Sequence, residues 1–147
     1  MTKQELYDFI RAQDLAVLAT VSPSNTSQAA LVGIAVTPAL ELIFDTVKSS
    51  RKYPNLIRNP NVAFVIGWSN EITVQYEGRA AELHGIELQE SKKVYFAKWP
   101  ACRAHESWPG IVYFKVTPKW IRYSDYNRSS DPVEELTWPG IDANIRK

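Results

Sequence analysis

The sequence predicts a mainly β protein, a small antiparallel barrel with short peripheral helices, on three observations. About seven apolar runs of strand length are separated by turn signals. Two or three stretches show helical spacing, and one long run, residues 72–83, alternates between apolar and polar side chains. Closing such a sheet removes its exposed edges, which favours a barrel over an open sheet. With 147 residues and 45% hydrophobic content the chain has the size of one domain, read as a barrel over residues 1–126 and an irregular tail over 127–147.

Thr2 and Glu5 have capping-box spacing, and Leu6, Phe9 and Ile10 recur at helical intervals, so a helix is expected from about residue 3 to 13. The unbroken apolar run Leu15–Thr20 reads as a fully buried strand, and residues 22–27 as a turn. Residues 28–36 and 41–46 read as a hairpin joined by Thr37–Leu40. Within Ser49–Asn59, Tyr53, Leu56 and Ile57 give helical spacing, Pro54 suits a first turn, and Asn59-Pro60 ends the helix. Asn61–Trp68 is a strand that Ser69-Asn70 turns back into the strand 72–83. There Ile72, Val74, Tyr76 and Ala80 share one face and Thr73, Gln75, Glu77 and Arg79 the other, with Gly78 marking a bulge. Glu87–Trp99 reads as a helix with Leu88, Tyr95, Phe96 and Trp99 inside, ended by Pro100, and strands follow at 111–117 and 120–126. The tail has only Val133, Leu136, Trp138 and Ile141 as large apolar anchors.

Lys and Arg total 17 against 16 Asp and Glu, a balance that gives no bulk attraction to nucleic acid or to an anionic membrane. A single cysteine, Cys102, excludes an internal disulfide framework and a cysteine-based zinc cage, and fits a reducing, cytoplasmic setting. No secretory segment is read at the N-terminus, and no apolar run approaches the ~18 residues of a membrane span. Aromatics reach 12% with five Trp, a surplus that points to a buried partner surface or a planar ligand. There is no P-loop, no nucleophile elbow and no dinucleotide fingerprint. His84 and His105 are far apart, with no carboxylate or thiol at ligand spacing, so no metal site is read. Cys102, beside Arg103 and His105, is either a reactive thiol of lowered pKa or an inert loop cysteine.

The segment Thr46 to Lys52 gathers what a phosphate dianion requires. A strand ends at Thr46, a tight turn passes Ser49 and Ser50, and Arg51 and Lys52 open a helix whose first N–H groups are free. The same residues also fit a plainer reading, in which Ser50 caps the helix and the two cations are solvated surface charges.

Around this segment stand Leu18-Ala19-Thr20-Val21, the strand ending Phe44-Asp45-Thr46, the spacing of Thr46, Ser50, Arg51 and Lys52, then Asn55-Leu56, Asn59-Pro60 and Glu77-Gly78-Arg79-Ala80. Their order resembles the pyridoxamine 5'-phosphate oxidase superfamily over about residues 5 to 126. The resemblance implies a split β-barrel homodimer that binds flavin mononucleotide (FMN) in clefts at the subunit interface. Carried over by position, Thr46, Arg51 and Lys52 fall on the flavin phosphate and Ser50 in the same turn. The strand Ala30-Leu31-Val32-Gly33 would run beside the isoalloxazine ring.

The departures matter equally. Where the true oxidases have an Arg on the flavin and a Lys on the substrate phosphate, this chain has Ala30 and Ala35. A Gln that reaches the flavin aligns with Thr73, with Gln75 two residues on along the same face. Ser124 stands at the position of the C-terminal Trp, and the Arg-x-His signature is missing. Vitamin B6 oxidase activity is therefore not expected. Trp99 and Trp108 can wall a flavin pocket, plug the barrel or fill a dimer interface.

The resulting expectation is an FMN-dependent oxidoreductase acting on an unknown small molecule, with no side chain nominated as acid or base. Two alternatives stay open: a non-catalytic flavin-binding sensor or stress-related module, and the same fold holding a deazaflavin or haem.

Overall fold

The computed structural model describes residues 1–137 and the backbone of 145–146. Helix α1 (Lys3–Arg11) opens the chain, and strands β1 (Leu15–Val21), β2 (Ser27–Gly33), β3 (Ala35–Val36) and β4 (Leu42–Val47) follow. Then come α2 (Lys52–Arg58), β5 (Asn61–Ile66), β6 (Ile72–Glu82), α3 (Gly85–Lys98), a 3-10 helix (Pro100–Ser107), β7 (Ile111–Asp125), β8 (Val133–Thr137) and β9 (Ile145–Arg146). The strands form one sheet in the order β2-β1-β5-β6-β7-β4-β3, with β8 and then β9 added beside β7. Every pairing is antiparallel.

That order explains the curl. β2 and β3 are joined through Ile34 alone, yet they lie at opposite ends of the order. A flat sheet cannot satisfy both conditions, so the sheet bends into a half-barrel that brings its two ends together. The expected hairpin is corrected accordingly. Residues 28–36 are not one strand: β2 pairs with β1, only Ala35 and Val36 pair with β4, and the Ile34 N–H turns aside to the Asp14 carbonyl.

The barrel interior is filled by Leu18, Leu40, Leu42, Phe44, Phe64, Ile66, Val74, Tyr76, Phe114 and Ile121, with Leu6 and Ile10 of α1 closing one end. The capping box forms as expected, Thr2 accepting from the Glu5 N–H and Glu5 from the Thr2 N–H. A second, smaller core lies on the other side of β4 and β7, where Ile43 and Tyr113 meet Tyr95 and Phe96 of α3.

Three further expectations meet the structure. The alternation in β6 is present, and its register shifts between Glu77 and Gly78, where an added Cβ would stand 2.5 Å from the Thr117 carbonyl oxygen. The two strands read at 111–117 and 120–126 are one strand, β7, because that shift lets the chain bend at Pro118 without leaving the ladder. The irregular tail is corrected at residues 133–137. β8 pairs with β7 from Trp120 to Ser124, burying Leu136 in the main core and leaving few free ladder groups on that side. Trp138 and Ile141, the other apolar anchors, lie outside the described residues.

β1 departs from a fully buried strand. Ala16, Leu18 and Thr20 point inward and are buried, whereas Leu15 is 39% exposed and Val17 and Ala19 are half-buried. Its outward neighbours are also apolar: Leu31 on β2 is 59% exposed and Val65 on β5 is 41% exposed. An antiparallel strand with one wet face normally reads apolar-in and polar-out. Around β1 the sheet is apolar on both faces, and the described residues cover only the inner one. No described helix is long and apolar enough to cross a membrane.

Candidate functional site

Strand alternation splits β4 between two environments. Leu42 and Phe44 enter the barrel core, Ile43 the smaller core, and the following pair, Asp45 and Thr46, inherits the same division. Thr46 begins the turn into α2, which is held by Lys48 N–H to Gly110 and Ser50 N–H to Val47. Within it the Thr46 hydroxyl donates to the Ser50 Oγ over 2.9 Å. Ser50 makes no helix cap: Arg51 occupies the N-cap position with helical dihedrals and no side-chain cap bond. That removes one half of the plainer reading.

Arg51 and Lys52 line a narrow cleft with Leu18, Thr20, Gln28, Ala29 and Ala30. Among the described residues neither cation has a carboxylate within ion-pairing distance. Partial burial, and next the adjacent Arg51 charge, lower the Lys52 pKa from 10.5, with Asp45 pulling weakly the other way. Two like charges are thus held together with no ion-paired carboxylate among the described residues. Their anchor is Asn55, 2% exposed on α2, whose amide donates to Thr20 Oγ1 at 3.0 Å and Gln28 Oε1 at 2.9 Å, tying the helix to β1 and β2.

The remaining predicted contacts fall elsewhere on the sheet. Leu31, Val32 and Gly33 continue β2 from the cleft, with the Leu31 side chain outward and Val32 buried. The Trp99 indole lies over Gly33, where a Cβ would come within 3.2 Å of its ring, and donates Nε1–H to the Ile34 carbonyl at 2.9 Å. Trp99 therefore fastens α3 to the end of β2. Thr73 and Gln75 sit on β6, Gln75 lining an outward hollow with Val17, Val65 and Trp120. The register row Leu31–Val17–Val65–Gln75 puts Gln75 three strand spacings from β2, about 14 Å. One chain thus joins Thr46, Ser50, Arg51 and Lys52 into a cluster, with Leu31–Gly33 adjoining it along β2, and leaves Thr73 and Gln75 apart.

At the two positions that depart from the oxidases, Ala30 lines the cation cleft and Ala35 is buried in the smaller core. A cavity of about 640 Å³ lies between α1 and α3 beside Ile34, Ala35 and Val36, and none of the predicted binding residues lines it.

Sequence spacing missed a second cluster. His105 Nδ1 lies 3.0 Å from Asp45 Oδ2, sixty positions away, and the ligand atoms of Asp45, Cys102 and His105 stand within 4.8 Å of one another. Trp108, 49% exposed, stacks on His105 with ring centroids 3.8 Å apart. Tyr95 is buried in the smaller core beside Cys102, and burial, followed by the Asp45 charge, pushes its hydroxyl pKa far up. Burial and Asp45 likewise raise the Cys102 pKa, which favours the inert loop cysteine of the two alternatives over a thiol activated by Arg103 and His105. His84, in contrast, is exposed at the start of α3 beside Glu82.

A curled antiparallel half-barrel with a cationic turn between strand and helix defines a split-barrel protein. The pyridoxamine 5'-phosphate oxidase family matches residues 2–125, and the chain belongs to that family. No curated protein matches the sequence significantly. Among solved structures it is similar to a haem binding protein from Mycobacterium smegmatis, with a TM-score of 0.79 and 16% identity over 93% of this chain and 58% of that one. It is similar also to a pyridoxamine 5'-phosphate oxidase-related, FMN binding protein from Nostoc punctiforme, with a TM-score of 0.68 and 13% identity over 99% and 93% of the two chains. General Stress Protein 26 from Bacillus anthracis gives a TM-score of 0.64 and 24% identity over 82% and 92%. These likenesses are of fold, and the chain spans little more than half the length of the mycobacterial protein.

Proposed function

We propose that the chain is an FMN-binding protein, working as a homodimer, whose cofactor phosphate is held by Thr46, Ser50, Arg51 and Lys52. The observation that carries this reading is the Arg51–Lys52 couple, without an ion-paired carboxylate among the described residues and beside two hydroxyls, with the Lys52 pKa lowered first by burial and then by the Arg51 charge. A phosphate dianion is the ligand that would offset both charges and accept from both hydroxyls. Backbone groups of Leu31, Val32 and Gly33 would meet the polar edge of the ring.

The homodimer is supported by the uncovered apolar face of Leu15, Val17, Leu31 and Val65. A second copy packed there would also account for the separation of Gln75 and Thr73 from β2, since they would meet the flavin held by the other subunit.

Bound flavin supplies hydride and electron transfer, and this chain supplies anchoring, orientation and exclusion of water. The reading is of an oxidoreductase for a small molecule in the cytoplasm. Ala30 and Ala35 remove the charges with which the related oxidases hold their cofactor and phosphorylated substrate, so a substrate lacking that phosphate is favoured. A flavin module without turnover is the second reading, and haem the third, favoured by the likeness in fold to the mycobacterial haem binding protein.

The test is the visible spectrum of purified protein after incubation with FMN, with haem in parallel. Bound flavin bands that weaken in Arg51→Ala are expected. A protein that stays colourless with FMN, or takes up only haem, overturns the proposal. Anaerobic reduction by NADH or NADPH, followed by candidate acceptors, separates enzyme from module. For the assembly, a mass of two chains that falls to one in Leu31→Glu with Val65→Glu is expected, and a wild-type monomer that still binds FMN defeats the interface model.

A further inference from the structure

Three side chains that the flavin reading leaves unused converge on the side of β4 away from the barrel core. Cys102 and His105 are three residues apart on the 3-10 helix, one turn of such a helix, so they share a face. That face meets Asp45, and a carboxylate oxygen, a thiol sulfur and an imidazole nitrogen come within 4.8 Å of one another.

We propose that Asp45, Cys102 and His105 form a binding site for zinc(II) or a chemically similar divalent transition ion. Ligand atoms around one tetrahedral zinc stand about 3.4 Å apart for N and O, and about 3.6 Å when one is S. The observed 3.0 Å between His105 Nδ1 and Asp45 Oδ2, and the 4.8 Å limit on the whole set, need shifts of about an ångström at most. One sulfur, one nitrogen and one oxygen suit zinc or cobalt and not magnesium or calcium, which take oxygen donors. Three protein ligands leave a fourth position for water.

Two neighbours fit the same role. Tyr95, 2% exposed, packs in the smaller core beside Cys102 and backs the ligand set. Tyr113, paired with Asp45 across the β4–β7 ladder and 3% exposed, has a buried hydroxyl with no hydrogen-bond partner. As cross-strand partners, Asp45 and Tyr113 stand on the same face of the sheet. A metal-bound water is the partner such a group calls for. The metal would tie the 3-10 helix to β4 one residue before the cationic turn, and this site does not depend on the flavin proposal.

Untagged, flavin-free, full-length protein is stripped with a chelator and titrated with Co²⁺, and with Zn²⁺ against a chromophoric competitor. One equivalent is expected, with a thiolate-to-cobalt charge-transfer band in the near ultraviolet and the visible bands of a tetrahedral ion. Cys102→Ser should abolish the charge-transfer band. His105→Gln should weaken Zn²⁺ binding by more than about 100-fold, beyond the 10–100-fold cost of disturbing outer-shell groups. Both variants should keep the wild-type FMN affinity. The proposal is overturned if wild-type protein takes up no stoichiometric metal, or if its cobalt spectrum lacks the thiolate band. It is overturned equally if both variants hold Zn²⁺ as tightly as wild type. The wild-type spectrum decides by itself should a variant fail to fold.

Discussion

Asp45 and Thr46 are consecutive on β4, yet they serve two environments of opposite character. On the Thr46 side two cations and two hydroxyls are crowded together, and the described residues offer them no counter-ion in contact. On the Asp45 side the carboxylate and the imidazole are paired at 3.0 Å beside the Cys102 thiol, roofed by Trp108. The first is electrostatically frustrated; in the second the carboxylate is satisfied, although the neighbouring Tyr113 hydroxyl is not. A frustrated site gains most from a ligand of opposite charge, whereas a satisfied one keeps its geometry and exchanges protons for a metal.

The largest expected effect breaks the first side only. Arg51→Ala with Lys52→Ala should weaken FMN binding by about 100-fold or more, each charge-assisted contact contributing roughly 1.5–3 kcal/mol. Fluorescence quenching of FMN on titration with protein checks it, and an unchanged affinity would move the phosphate elsewhere. Zinc binding should be unaffected by the double variant. Next in size is Asn55→Ala, which strips the buried Thr20 and Gln28 oxygens of their donor. A loss of about 1–3 kcal/mol in urea unfolding is expected, together with weaker FMN binding as α2 loosens. A stability loss without any change in FMN affinity would show that the cations do not depend on this anchor.

The two sides also differ in how they could be read beforehand. Thr46, Ser50, Arg51 and Lys52 lie within seven residues, so turn chemistry and helix signals placed them together before any tertiary contact was known. The strand alternation of β6 and its bulge at Gly78 were legible for the same reason, being local. The Asp45 cluster was not, because a ligand-spacing rule cannot see residues sixty apart that meet only when α3 returns the chain to β4. Nor was β8, whose five residues carry Glu134 and Glu135 and gain their strand identity from the open side of β7. The break at Ile34 was equally hidden, since an unbroken apolar run does not announce that its two halves serve opposite ends of one sheet. The apolar excess of β1 was visible, and burial was the natural inference; the described residues leave its outward face uncovered.

A smaller effect sharpens the satisfied side. Tyr95→Phe keeps the ring packed against Phe96 and Tyr113 and removes only the hydroxyl. It should cost about 0.5–1.5 kcal/mol of stability and leave FMN affinity unchanged. Weakened FMN binding would mean that the two sides communicate through β4.

The smallest effect concerns sign. Lys115, next to Ile43 in the β4–β7 ladder, has its pKa raised, first by its hydrogen bond to Glu87 and then by Glu41. Its contribution is therefore fully present below 10.5 and lost as pH rises through the higher folded value. Lys52 runs the other way: its folded pKa lies below 10.5, so its charge costs stability at neutral pH. That cost is relieved as pH climbs from the folded value toward 10.5, where the unfolded chain binds the more protons. Lys52→Met should accordingly raise the thermal midpoint of flavin-free protein at neutral pH, and Lys115→Met should lower it. A lower midpoint for Lys52→Met would mean that its charge is already compensated, and the frustration argument would fail. Adding FMN should reverse the sign at Lys52 alone, because the phosphate gives that lysine the anionic partner that Lys115 already has in Glu87 and Glu41.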